Sequence, residues 1–106
     1  MRVEPESSRC ISDTRVDPVA VRILWDELIY SDNRALKCYV ECVYSGMNFV
    51  NREGKFVHDE IVQNVEKVTY AMVDKCIYKT EGIQDRCDRV FEFDKCLLFD
   101  HEVFAL

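Results

Sequence analysis

Cys38 and Cys42 stand four residues apart in the run Ala35-Leu36-Lys37-Cys38-Tyr39-Val40-Glu41-Cys42-Val43-Tyr44, which holds neither glycine nor proline. That spacing places both on one face of a helix. Their Cβ atoms then run parallel rather than toward each other, a poor geometry for a bond between them. If both are oxidised, each finds its partner elsewhere, and one helix is tied to two other parts of the chain. It becomes the hub of the fold.

The 106 residues carry six cysteines at irregular intervals, with no Cys-x-x-Cys pair. An even number in so short a chain reads as a disulfide framework, which implies the oxidising, extracellular side of the cell and a secreted protein. A zinc site needs close Cys or His pairs, and His58 and His101 stand near none, so neither metal nor cofactor is expected. The length suits a single domain over residues 1–106. Hydrophobic residues at 48% and charged ones at 32% exclude a wholly disordered chain. The net charge of −6, with Lys and Arg scattered among acids, disfavours nucleic acid and anionic membranes. No apolar run approaches the roughly eighteen residues of a membrane span. Met1–Glu6 is polar and lacks the apolar segment of a secretory leader, as expected of a mature exported form.

Along the chain, residues 3–12 carry Cys10 in a stretch compatible with a short helix. Asp17-Pro18 is a strong helix start, and Val16, Ala20, Ile23, Leu24 and Leu28 repeat at helical spacing toward Ser31-Asp32-Asn33. Asp32 or Asn33 is placed to cap the hub helix, which runs to about Ser45-Gly46. A turn region follows, most loop-like at Asn51-Arg52-Glu53-Gly54-Lys55. Asp59 is the expected cap of the next helix. From there Ile61, Val65, Val68, Met72 and Cys76 form one apolar stripe, widened by Val62, Thr69, Val73 and Ile77. It predicts one long helix or two short ones broken near Asn64–Glu66, ending at Gly82. A last helix starts around Asp85 with Cys87, Val90, Phe91, Phe93, Cys96, Leu97 and Leu98, and a tail over 99–106 follows. No alternating strand segment is visible. The class is all-α.

The cysteines are separated by 27, 3, 33, 10 and 8 residues, which leaves fifteen pairings open. The whole spacing resembles that of the insect odorant-binding proteins (pheromone and general odorant-binding). The text around Leu36-Lys37-Cys38-Tyr39-Val40-Glu41-Cys42 and the turn Gly46–Phe56 is similar to that family's hub helix, and Cys87-Asp88-Arg89-Val90-Phe91 through Lys95-Cys96-Leu97 to its last core helix. The resemblance covers roughly residues 10–98. It implies the pairing Cys10–Cys42, Cys38–Cys87 and Cys76–Cys96, and about six short helices around an internal apolar cavity. The 33 residues between Cys42 and Cys76 are fewer than in many relatives, which predicts truncated or fused helices bearing Val62 and Met72.

Catalysis finds little support: there is no Gly-x-Ser-x-Gly elbow, no His-Glu-x-x-His and no glycine-rich phosphate loop. By periodicity alone Tyr44, Met47, Phe49, Val62, Val65, Thr69, Met72 and Phe91 are ordinary core residues of a helical domain. The resemblance instead implies that residues of this kind line a ligand cavity, with Met as an adaptable wall and Tyr44 or Thr69 able to orient a polar group. The tail reads either as a frayed terminus or as a lid, with Val103, Phe104 and Leu106 over the cavity mouth and His101 among acids as its titrating group.

The function so implied is that of a secreted carrier of a small hydrophobic molecule: an odorant, a pheromone or a fatty-acid-like compound. The expected partners are that ligand and an olfactory receptor, and the expected state is a monomer or weak homodimer. Two other readings share the scaffold. One is a salivary-type scavenger of host amines or lipids, although an amine wants a buried acid and no acid here is marked as buried. The other is a protein-binding module without a working cavity.

Overall fold

Most helices in this chain begin where a side chain satisfies backbone N–H groups that the first turn leaves free. In the computed structural model, which describes residues 4–105 and the side chains of residues 6–99, these starts follow local chemistry. Helix α1 covers Glu4–Thr14. Helix α2 (Pro18–Glu27) opens on Pro18, with the Asp17 carboxylate accepting from the Val19 N–H at 2.9 Å. Helix α3 (Arg34–Gly46) is capped by Asn33, which accepts from the Leu36 N–H at 3.0 Å. Helix α5 (Tyr70–Thr80) is capped by Thr69, whose Oγ1 accepts from the Met72 N–H at 3.2 Å. At the start of α6 (Arg86–Ala105), Asp85 accepts from the Asp88 N–H at 2.9 Å.

Helix α4 (His58–Asn64) differs. Val57 stands at its cap position and no side chain bonds to its first turn. The cap expected from Asp59 is absent because Asp59 already lies inside the helix, where its Oδ1 accepts from the Tyr70 hydroxyl at 2.6 Å.

Two helix ends also depart from the apolar pattern. Helix α2 stops at Glu27 rather than near Asn33. Leu28 adopts a left-handed φ of 54°, and its N–H turns back to the Leu24 carbonyl at 2.9 Å. The long apolar stripe resolves into two helices, α4 and α5, because Val65 is extended and Lys67 is left-handed at φ 64°. The two are thus separate rather than fused. Thr69→Ala is expected to lower the unfolding free energy by about 1 kcal/mol through loss of the α5 cap. A fall in the urea midpoint at constant slope would register it, and an unchanged midpoint would refute the role.

Between α3 and α4, Val50 and Phe56 form an isolated antiparallel bridge. The turn it closes is held by the Asn51 N–H on the Lys55 carbonyl and by the Lys55 N–H on the Asn51 side chain, each at 2.9 Å. Gly54 takes a φ of 84°, and the Arg89 guanidinium packs where any side chain would begin. The left-handed φ favours glycine there, and a side chain would have to push the Arg89 guanidinium aside.

Among the described residues there are six helices and no strand, so the chain is all-α. Helix α3 lies between α1 and α6, α5 packs on α6, and α4 packs on α5. The hub buries Leu36, Tyr39, Val40, Val43 and Tyr44 in one core with Val90, Phe91, Phe93 and Leu97 of α6. Each such side chain removed from water contributes on the order of 1.5–3 kcal/mol. The hub's other contacts are more polar. The Tyr39 hydroxyl accepts from Trp25 Nε1 at 2.9 Å and shares a 2.7 Å hydrogen bond with Ser7, joining α1, α2 and α3.

The disulfides are Cys10–Cys42 (α1 to α3), Cys38–Cys87 (α3 to α6) and Cys76–Cys96 (α5 to α6), the pairing the resemblance implies. The two hub cysteines do go to different helices. The backbone of residues 99–105 continues α6 instead of leaving it as a separate tail. The side chains of the expected lid, Val103, Phe104 and Leu106, and of His101, lie outside the described residues.

Candidate functional site

Where α3 meets α6, the interior is filled with rings. Tyr44 packs edge-on against Phe49 at 5.3 Å and Phe93 at 6.1 Å between centroids, and Phe56 stacks on Phe93 at 3.8 Å. Such edge-to-face and stacked contacts add to the area the rings bury.

Against this apolar cluster lies a carboxylate. Asp94 of α6 has no exposed surface, and both of its oxygens accept from phenols: Tyr30 donates to one and Tyr44 to the other, each at 2.6 Å. Burial pushes the Asp94 carboxyl up to about 6, against the opposing pull of the two tyrosine hydrogen bonds. Burial, and then the charge of Asp94, hold the Tyr30 and Tyr44 phenols well above their ordinary value. Tyr30 reaches the site from the segment after α2 and packs against Phe91 at 5.2 Å and Phe99 at 5.7 Å.

Three clefts stand out among the described residues, and the largest of them, of about 510 Å³, opens above the ring stack. Phe56 and Ile77 form its apolar surface, Gly54 and Arg89 one side, and Thr80 the end of α5. Its exposed rim carries Glu53, Lys55 and Glu81. His58 also borders it, hydrogen-bonded to Asp74 at 2.6 Å. Phe56 therefore faces the cleft and also stacks on the core ring Phe93. Two further clefts open to solvent. One of about 310 Å³ runs between α5 and α6 beside Ile83 and Phe99. The other, of about 400 Å³, follows the break after α4.

The residues singled out in the sequence separate into several places. Tyr44 and Phe49 belong to the fully buried ring cluster, and Phe91 lies buried beneath Tyr30. Met47, Val62 and Val65 line the cleft after α4. Met72 is half-buried against the core, whereas Thr69 is exposed and spends its hydroxyl on capping α5. The residues that frame the largest cleft, Phe56, Ile77 and Arg89, were not among them. Ile77 was visible only as the edge of an apolar stripe, and Phe56 only as the end of the turn after the hub.

No group of three or more His, Cys, Asp or Glu among the described residues is arranged to hold a metal ion, and no described helix is long and apolar enough to cross a membrane. Compared with known proteins, the chain matches the model of the PBP/GOBP family over residues 2–99. No curated protein matches it.

Proposed function

Since the chain belongs to the PBP/GOBP family, a family of binding and carrier proteins rather than of enzymes, we propose that it is a secreted carrier of a small hydrophobic ligand in aqueous fluid. The observation that carries this reading is the 510 Å³ cleft floored by Phe56 and Ile77 and backed by the Phe56–Phe93 stack. That volume lies in the range of small-molecule sites, which are apolar with a few polar groups. The mechanism is burial, not reaction. Moving apolar ligand surface out of water yields roughly 25 cal/mol per Å², and micromolar affinity needs only about 8 kcal/mol in net. Release to an olfactory receptor, by a monomer or weak homodimer, completes the role.

Displacement of a fluorescent apolar probe from the oxidised protein tests the proposal. Low-micromolar probe binding, reversed by volatile alcohols or esters, is the expected result. Absence of probe binding with all three disulfides intact would reject the carrier and favour a protein-binding module.

A second reading, sequestration of a small amine, is favoured by Asp94 alone, the buried acid that amine recognition would need. Both of its oxygens are already taken by Tyr30 and Tyr44, so an amine must displace a phenol. Calorimetric binding of tyramine that vanishes in Asp94→Asn would support this reading, and absence of heat would reject it.

A further inference from the structure

Arg89 differs from the other arginines of the α3–α6 interface. Arg86, three residues earlier, is neutralised by Glu41 at 2.8 Å, and Arg34 grips Asp85 at 2.7 and 3.0 Å. Arg89 is half-buried, and the groups described around it are carbonyls: its guanidinium donates to Gly54 at 3.1 Å and to Ile83 at 3.4 Å. Carbonyls orient a guanidinium without cancelling its charge. With five N–H donors in a planar fork, two such bonds leave donors free. The fork also borders the largest cleft, beside the apolar Phe56 and Ile77.

The other polar groups of the cleft do not compete closely. Thr80 donates its hydroxyl to the Cys76 carbonyl at 2.7 Å, and His58 is engaged by Asp74. Glu53, Lys55 and Glu81 are exposed on the rim, where water and salt screen them. The half-buried charge that meets an occupant is therefore positive.

From this arrangement we infer that the cleft takes an amphipathic carboxylate, with its head on the Arg89 fork and its alkyl chain over Phe56 and Ile77. A planar carboxylate matches a guanidinium through two parallel hydrogen bonds, which a hydroxyl or ester does not provide. This specificity rests on the carrier reading of the same cleft.

The test compares decanoic acid with 1-decanol as displacers of the apolar probe at pH 7.5, on wild type, Arg89→Gln and Arg89→Lys. The readout is the ratio of the two constants within each protein, so a general loosening of the cleft cancels. Wild type is expected to prefer decanoate roughly ten-fold, Arg89→Gln to bring the ratio near one, and Arg89→Lys to keep part of the preference. Equal affinities in wild type, with decanol still binding, would overturn the carboxylate assignment and leave the carrier standing. A preference that survives Arg89→Gln would do the same. Failure of both compounds to bind would overturn the carrier reading and this one together.

Discussion

Replacing Cys38 and Cys87 together by alanine is expected to lower the free energy of unfolding by about 4 kcal/mol in the chain-entropy model. The bond spans a sequence separation of 49, against 20 for Cys76–Cys96, whose loss is expected to cost about 3 kcal/mol. Both Cys38 and Cys87 are partly exposed, so alanine leaves little empty volume and the effect acts through the unfolded chain. A domain of this size has only about 5–15 kcal/mol in total. Urea unfolding of the paired variants beside wild type measures the losses. A cost below about 1 kcal/mol for the longer loop would show that the α3–α6 core holds without its bridge.

The second large effect concerns pH. Asp94 titrates at about 6 in the folded protein against an ordinary 3.8. Between those values the folded state holds a proton that the unfolded state has released. Its contribution is therefore fully present below pH 3.8 and is lost as pH rises through 6. The difference corresponds to roughly 3 kcal/mol, so the protein should gain stability on acidification from pH 7 toward pH 4. Asp85 works in the opposite sense. The Arg34 hydrogen bonds, followed by the Asp88 N–H, hold its carboxyl down to about 2, so its contribution is lost only as pH falls from 3.8 through that value. Together these two groups place their combined optimum near pH 4. Asp94→Asn, which cannot titrate, should flatten the rise between pH 7 and 4. Denaturation curves at three pH values decide it: a wild-type slope retained by the asparagine variant would assign the dependence to other groups.

What was legible in the sequence was whatever depends on near neighbours. Asp17-Pro18 and Asn33 start helices through groups two or three residues away, and Cys38 with Cys42 marked the hub through spacing alone. The end of α2 was hidden, because Leu28 is left-handed without being glycine, whereas the end of α4 at Asn64 matches the break near Asn64–Glu66 that the apolar stripe allowed as one of its two readings. Asp94 was hidden more completely. It sits in Glu92-Phe93-Asp94-Lys95, where nothing local marks it as the buried acid, and its partners are hydroxyls 64 and 50 residues away. Arg89 escaped notice for a related reason. An arginine whose partners among the described residues are carbonyls is apparent only once the turn at Gly54 and the end of α5 are folded beside it. The choice of disulfides came from the resemblance, since the intervals by themselves left every pairing open.

The covalent links are unevenly distributed over the frame. Helices α1, α3, α5 and α6 are joined through the three bridges, whereas α2, α4 and the 50–58 segment contain no cysteine. One wall of the largest of these clefts is thus locked by Cys76–Cys96, and the facing wall, from Glu53 to His58, is held by noncovalent contacts: hydrogen bonds, the packing of Phe56 on Phe93 and Tyr44, and the stacking of His58 on Tyr70. The two sides of the cleft therefore answer to different chemistry: a reductant acts on the α5–α6 side, and only a loss of noncovalent packing acts on the 53–58 side.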